Sequence, residues 1–227
     1  IIISFTSADQ DLSIQVHPTD DYAKTHENTL YGKSESWYFI EPPSEGWIYA
    51  DSLIEDKKEI KRRILNGDYE SVVGKRLVSK NDLVYIPSGT LHALTRGALV
   101  YEIQQSTDIT YRFFDYNRLD NDGKLRDLHL EDALDTLNTA NRVKSSEFPK
   151  DTPISEQPYT MVRKTLENVY HNTTDVAVAI TVSKGSMCVD GHSILTGMSI
   201  LVLPNETISI SQAAEEVVIA TPKLYFK

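Results

Sequence analysis

The order of hydrophobic and polar positions predicts a chain built mainly from short β-strands. The run LSIQVH alternates apolar and polar residues, which is typical of a strand with one buried face. The runs SWYFIE and WIYAD are rich in aromatic and β-branched residues, which also favour strands. Three more strands are predicted in close succession in NDLVYIPSGTLHAL, ALVYEIQQ and DITYRFFDY, because turn residues separate them.

Helical spacing is found in two segments between these strands. In SLIEDKKEIKRRILNGDYESVVGK the apolar residues Ile54, Ile60, Ile64 and Leu65 recur near helical spacing. The NGD tripeptide interrupts this pattern, so the segment predicts a helix, a turn and a second short helix. LHLEDALDTLNTANRV predicts another short helix, whose leucines belong to the core. TDDYAKTHENTL is expected to be a loop that joins the first two strands.

A linker-like stretch, KSSEFPKDTPISEQPY, separates two β-rich regions, and the second extends from about residue 160 to 227. TGMSILVLPNE in the second region is weakly similar to KNDLVYIPSG in the first, which suggests two related β-barrels. We therefore expect a first domain over residues 1–145, with a helical insertion around 51–76. A second, smaller domain is expected over residues 146–227.

Composition and charge limit the classes of partner. Hydrophobic residues make up 40% and charged residues 25% of the 227-residue chain, as in ordinary globular proteins. A formal net charge of −10 argues against nucleic-acid binding through a broad basic surface. The chain has no apolar run of membrane-spanning length, and its single cysteine, Cys188, fits a reducing compartment. We expect a soluble, cytoplasmic protein without nucleic-acid or membrane partners. The sequence does not predict its oligomeric state.

Two of the predicted strands carry polar side chains on one face. Residues i and i+2 of a strand share a face, so Ser13, Gln15 and His17 project together, as do Lys33 and Glu35. If both faces point inward, these groups require a partner, because burying an unpaired polar group is costly. If both faces point to solvent, the pattern is an ordinary wet sheet surface.

The motif PSGTLHAL favours the inward alternative because it places His92 at the start of another strand. A lone histidine there is usually a hydrogen-bonded structural residue. Combined with Gln15, His17 and Glu35, however, His92 would complete a shell of nitrogen and oxygen ligands that suits Zn²⁺ or another divalent first-row metal. Surface or capping roles are expected for the other histidines, His26, His129, His171 and His192.

A second group of polar residues follows in YEIQQSTDITYRFFDYNR. Glu102 and Arg112 could form a structural salt bridge across a hairpin, or belong to a site if a metal lies nearby. Arg112 and Lys33 would also supply the local positive charge that a phosphate group needs, with Ser13 adding a hydroxyl.

Four motifs in this order, LSIQVHP, YGKSESWY, IPSGTLHAL and EIQQSTDITYRFFDYNR, resemble those of type I mannose-6-phosphate isomerases, especially the short bacterial forms. The resemblance extends from Asp9 to about Leu130 and continues more loosely to the end of the chain. It implies a mainly β fold of cupin barrels (double-stranded β-helices) with a few short helices, and one zinc ion per chain. Family members usually have a longer stretch before LSIQVHP, so we expect an N-terminal region to be missing from this sequence.

The resemblance also assigns roles to individual residues. It places the metal on Gln15, His17, Glu35 and His92, the four residues that spacing had suggested. It places the family's remaining site positions on Ser13, Lys33, Glu102 and Arg112. No counterpart of the metal ligands is found in the second domain, which is expected to be a degenerate cupin.

The implied reaction is the interconversion of mannose 6-phosphate and fructose 6-phosphate by proton transfer through an enediol or enediolate. Glu102 is the favoured general base, and Arg112 would aid ring opening or hold charge. Lys33 would serve either the phosphate or the proton transfer.

Two other classes are compatible with a metal-binding cupin. One is a protein that binds a sugar phosphate without turning it over, which would show saturable binding and no turnover. The other is a metal cupin oxygenase or epimerase. Oxygenases more often have a tighter His-x-His ligand set, and the Lys33-x-Glu35 motif together with Arg112 favours a phosphorylated sugar instead. The sequence contains neither a Gly-rich nucleotide loop nor a Ser-His-Asp arrangement.

Overall fold

The structure is a computed structural model that describes residues 1–225. The chain divides into two compact units, one over residues 2–147 and the other from residue 148 onward. Each unit has a hydrophobic core of its own. Among the described residues, no helix combines the length and the apolar character needed to cross a membrane.

Two antiparallel five-stranded sheets make up the first unit. Its strands are β1 (Ile2–Ser7), β2 (Ile14–Val16), β3 (Glu35–Glu41), β4 (Trp47–Ser52), β5 (Val73–Leu77), β6 (Asp82–Ile86), β7 (His92–Ala93), β8 (Leu99–Gln104), β9 (Tyr111–Phe114) and β10 (Lys144–Glu147). One sheet has the order β1-β8-β3-β6-β10, and the other has the order β5-β4-β7-β2-β9. Neighbours in these sheets are mostly distant in sequence, so residues far apart along the chain meet on one face.

A shared core joins the two sheets of the first unit. Trp37 and Phe39 of β3 and Ile48 and Ala50 of β4 are all buried in one hydrophobic cluster, although β3 and β4 lie in different sheets. The aromatic and β-branched runs therefore form strands as predicted, and their apolar positions hold the sheets together. Any polar side chain on the same inner faces must find its partner inside the barrel.

The first unit has three short helices, α1 (Asp20–His26), α2 (Lys57–Leu65) and α3 (Leu130–Thr136). In α2, the carboxylate of Asp56 caps the helix by accepting from the Lys58 amide at 2.9 Å, and Ile60 and Ile64 are buried. The predicted second helix after NGD is wrong. The last residues of that segment begin β5 instead, where Val73 lies opposite Ser52 of β4. Strand pairing is favoured here because the segment is β-branched and lies beside a free edge of β4.

Helix α1 replaces part of the predicted loop between β2 and β3. The Thr19 hydroxyl accepts from the Tyr22 amide at 3.2 Å, and Asp20 and Asp21 stand in the first turn, where acidic residues stabilise a helix. The ring of His26 stacks on that of Tyr22 at 4.0 Å between centroids. This exposed stretch therefore contains a recognisable start of a helix.

The second unit is also built from antiparallel sheets. Its strands are β11 (Ile154–Ser155), β12 (Tyr159–Lys164), β13 (Asn168–His171), β14 (Val178–Lys184), β15 (Ser186–Val189), β16 (His192–Leu195), β17 (Ser199–Val202), β18 (Thr207–Gln212) and β19 (Glu216–Pro222). They form the sheets β11-β12-β19-β14-β17 and β13-β18-β15-β16. The fully buried amide of Asn172 donates to the carbonyls of Val176, Val202 and Leu203, so this asparagine is a structural residue.

Candidate metal centre and active site

Strand pairing brings the first polar face to its predicted neighbours. β2 lies between β7 and β9, so Gln15 is opposite His92 on one side and Arg112 on the other. Directly opposed residues of antiparallel strands project to the same face. Ser13, next on this face, donates from its hydroxyl to the Gln15 side-chain oxygen at 3.3 Å.

Gly32 allows the chain to reach β3 close to the end of β2. The amide of Lys33 donates to the carbonyl of Pro18 at 3.0 Å, and a Cβ at residue 32 would lie only 2.3 Å from that carbonyl oxygen. Only glycine tolerates this close approach of two backbones. The contact places Glu35, the first residue of β3, next to His17.

His17, Glu35 and His92 meet inside the barrel. Nε2 of His17 lies 3.3 Å from Oε2 of Glu35, and Nε2 of His92 lies 3.3 Å from Oε1. All three side chains are at most 1% exposed. One potential ligand atom from each side chain lies within 4.8 Å of the other two. Among the described residues, no other group of three His, Cys, Asp or Glu side chains is close enough together to hold a metal ion.

The hydrogen bonds of the two imidazoles orient their free nitrogens towards Glu35. Nδ1 of His17 lies 3.0 Å from the carbonyl oxygen of Ile109, and Nδ1 of His92 lies 2.8 Å from that of Thr90. Since a carbonyl oxygen only accepts, both rings carry their hydrogen on Nδ1. Their Nε2 lone pairs therefore face the carboxylate, an arrangement typical of metal-ligating histidines.

The buried atoms at the centre of this cluster fit a metal ion. Both Nε2 atoms and both Glu35 oxygens are without a hydrogen-bond partner among the described residues. Burial lowers the pKa of His17 to about 4, so a proton on this ring does not satisfy the cluster at neutral pH. Lone pairs of His17, His92 and Glu35 that face one another without hydrogen bonds from the described residues would be stabilised by a divalent cation.

Lys33 lies beside the carboxylate of this cluster. Its Nζ is 3.5 Å from Oε2 of Glu35, and both side chains are buried. Burial by itself raises the pKa of Glu35, but His17 and the Lys33 ammonium group outweigh it and hold that pKa well below its usual range. Glu35 is therefore anionic. Lys33 is not among the residues that line the arginine-rich cavity described below.

Glu102 shares the inner face with the cluster. β8 pairs with β3 so that Glu102 lies opposite Trp37, two residues after Glu35 on the same face. Burial raises the pKa of Glu102 to about 7, and the charge of Glu35 adds to the shift. The carboxyl group can therefore exchange a proton near neutral pH. The predicted alternative of a salt bridge across a hairpin does not arise, because β8 and β9 belong to different sheets.

A cavity of about 410 Å³ opens beside Gln15, and we call it the arginine cavity. Its lining includes Ser13, Gln15, Thr110, Arg112, Arg118, Arg126 and His129. The buried carboxylate of Asp115 lies 3.1 Å from Arg118 and 3.1 Å from Arg126, and holds both guanidinium groups. Nε of Arg112 has no hydrogen-bond partner within the described chain. The three arginines outnumber the carboxylates at this cavity, Asp108 in its lining and Asp115 behind it, and so suit an anionic ligand such as a phosphate.

Sequence reasoning missed three residues of the arginine cavity, Arg118, Arg126 and His129. Arg118 is the last residue of the motif EIQQSTDITYRFFDYNR, but its spacing from Arg112 does not predict that the two side chains line one cavity. Arg126 returns to the cavity because Leu119 and Leu125 form an antiparallel bridge. His129 precedes α3 without capping it through its side chain. Its Nδ1 accepts from the amide of Arg112 at 3.3 Å.

Comparisons with known proteins agree with this architecture. No family model matches the chain. It is 41% identical over 137 residues to the mannose-6-phosphate isomerase ManA of Bacillus subtilis, which is 60% of this chain and 44% of that protein. The mannose-6-phosphate isomerase of Streptococcus mutans is 39% identical over 137 residues, which is 60% of this chain and 43% of that protein. The chain thus spans less than half the length of these curated relatives.

Similarity in fold extends further along the chain. The crystal structure of mannose 6-phosphate isomerase from Bacillus subtilis matches 96% of this chain and 73% of that one, with a TM-score of 0.77 and 27% identity. A phosphomannose isomerase from Salmonella typhimurium matches 98% of this chain and 79% of that one, with a TM-score of 0.69 at 10% identity, which shows the fold alone. The expectation of a mainly β cupin fold is confirmed. In sequence and in fold, the chain is similar to proteins named mannose-6-phosphate isomerase, and the resemblance seen in its motifs is confirmed.

Proposed function

We propose that this chain carries the active site of a metal-dependent isomerase that interconverts mannose 6-phosphate and fructose 6-phosphate. The observation that carries the proposal is the buried cluster of His17, Glu35 and His92 next to Glu102. The Nε2 atoms and carboxylate oxygens of this cluster have no hydrogen-bond partner in the described part of the chain. Relatives at 39–41% identity that are named mannose-6-phosphate isomerase support the choice of substrate.

The two units take different parts in this proposal. The first unit is the catalytic cupin domain, since it contains the cluster, Glu102 and the arginine cavity. The second unit is a degenerate cupin with a structural role. A cytoplasmic location fits a sugar-phosphate substrate and a single free cysteine, Cys188.

Gln15, His17, Glu35 and His92 would hold the metal in this proposal. Two imidazole nitrogens with carboxylate and amide oxygens form a donor set that suits Zn²⁺. When bound, the ion supplies Lewis-acid stabilisation of the negative charge that develops on the sugar oxygens. Gln15 qualifies because it lies opposite His92, with its side chain on the same face.

Proton transfer falls to Glu102. Its carboxylate takes the proton from C2 of the open-chain mannose phosphate and returns it to C1, while a proton passes from the C2 hydroxyl to the C1 oxygen. A pKa of about 7 suits this role, because the group must both accept and release the proton at neutral pH. Lys33, 3.5 Å from Glu35, adds positive charge beside the reacting carbons.

The phosphate group would lie in the arginine cavity. Arg112, Arg118 and Arg126 supply charge and planar donors, and Ser13 adds a hydroxyl. Arg112 is opposite Gln15 and so stands between the metal ligands and the cavity. It is the arginine expected to act on the sugar as well as on the phosphate.

A coupled assay for fructose 6-phosphate formed from mannose 6-phosphate tests the proposal. We expect activity to disappear on chelation, to return with Zn²⁺, and to be lost in His17→Ala. His26→Ala is the matched control, since His26 is exposed and lies outside the cluster. Unchanged activity after complete metal removal, or in His17→Ala, would contradict the metal role. Saturable binding of mannose 6-phosphate without turnover would support a non-catalytic binding protein instead.

A further inference from the structure

We propose that Thr6 is a positioning residue that orients Glu102 for proton transfer, an inference that rests on the proposed function. The Thr6 hydroxyl lies 2.8 Å from Oε2 of Glu102, although the two residues are 96 positions apart in sequence. β1 pairs with β8 so that Ser4 is opposite Glu102 and Thr6 is opposite Val100. Thr6 therefore lies on the same face as Glu102, diagonally across the strand pair.

The direction of this hydrogen bond shows that the protein holds one oxygen of the carboxylate. An ionised carboxylate only accepts, so the hydroxyl of Thr6 donates to Oε2. The Ser4 hydroxyl is 3.4 Å from Oγ1 of Thr6 and, because the hydrogen of Thr6 is already used, Ser4 is the donor of that pair. Oε2 is thereby held by the protein, which restricts the orientation of the whole Glu102 carboxyl group.

Orientation matters here because Glu102 is flexible and has a like charge beside it. Its side chain has three rotatable bonds, and the Glu35 carboxylate on the same face repels it. A threonine is well suited to oppose this repulsion, since its β-branched side chain has a restricted χ1 angle in a strand. Proton transfer depends steeply on the position of the base, so loss of the contact should lower turnover more than binding.

Thr6→Val tests the inference because it removes the hydroxyl and keeps the shape of the side chain. We expect kcat to fall by roughly 10- to 100-fold, with KM for mannose 6-phosphate changed by less than about threefold. Thr6→Ser keeps the donor and should recover most of the activity. Ser7→Ala, on the opposite face of the same strand, should behave as the unsubstituted protein. Zinc content should stay the same in all of these variants.

Glu102→Gln separates failure of this inference from failure of the proposed function. If Glu102→Gln remains active, the proposed base is wrong. If Glu102→Gln is inactive but Thr6→Val keeps full kcat, Glu102 is the base and the role of Thr6 is overturned. Thr6→Ala is the second variant in case Thr6→Val does not fold, and full kcat in Thr6→Ala would overturn the role equally.

Discussion

Removal of the metal should destabilise the first unit far more than the second. Among residues 1–225, both Nε2 atoms and both oxygens of Glu35 have no hydrogen-bond partner, so a bound ion would supply interactions that these residues do not. At a free metal concentration of a thousand times Kd, binding stabilises the folded state by about 4 kcal/mol. For a chain of this size, that corresponds to a rise in melting temperature of roughly 8 to 16 °C.

Intrinsic fluorescence can follow this unit separately. The sequence has two tryptophans, Trp37 and Trp47, and both lie in the first unit. The Trp37 ring is 5.5 Å from that of His92, so its emission should also respond to metal binding. We expect the fluorescence melting temperature to fall on chelation and to recover as Zn²⁺ is added back.

Two variants control this measurement. His17→Ala should melt at the same temperature with and without Zn²⁺, whereas His26→Ala should keep the full metal-dependent shift. Equal melting of the unsubstituted protein in chelator and in Zn²⁺ would refute the reasoning. A shift that persists in His17→Ala would show that the stabilising ion binds elsewhere.

Three further predictions concern catalysis and packing. Because Glu102 must be ionised to accept a proton, kcat/KM should fall as pH drops. Burial and the charge of Glu35 raise the pKa of Glu102 to about 7, and a bound cation that offsets the charge of Glu35 should place this limb below that value. A flat profile would contradict the role. Replacing Arg118 and Arg126 together by Gln should raise KM for mannose 6-phosphate by roughly 100-fold, because two charge-assisted hydrogen bonds are lost. The effect on kcat should be smaller. An unchanged KM would show that the phosphate binds elsewhere. Gly32→Ala should lower the free energy of unfolding by about 1–3 kcal/mol and reduce zinc content, because the new Cβ would lie 2.3 Å from the Pro18 carbonyl oxygen. A normal melting temperature and normal zinc content would show that the turn can relax.

Much of the proposed metal centre was predictable from which residues share a strand face. The two-residue period places Ser13, Gln15 and His17 on one face, and the structure brings that face to His92 through the pairing of β2 with β7. Such a prediction succeeds because the side-chain period of a strand is fixed by its geometry. Which strands become neighbours is set by the whole fold, so the meeting of His17 with Glu35 followed from ligand chemistry rather than from periodicity.

Other features depended on contacts that the local pattern does not contain. Arg126 reaches the arginine cavity only because the chain turns back between Leu119 and Leu125. Thr6 reaches Glu102 through the β1–β8 register, which links the start of the chain to a strand about a hundred residues later. Thr19 followed by two acidic residues is a typical start of a helix. The helix α1 was not predicted because the following residues have no apolar positions at helical spacing.

The proposed ligands come from both sheets of the first unit, and this has a consequence for folding kinetics. His17 directly follows β2 and His92 begins β7 of the same sheet, whereas Glu35 begins β3 of the other sheet. The site cannot form until the two sheets have closed over the core, which requires long loops to be ordered first. Interactions that form after the rate-limiting step slow unfolding with little effect on folding. A bound ion should therefore link the two sheets only after the rate-limiting step of folding, and should slow unfolding of the first unit.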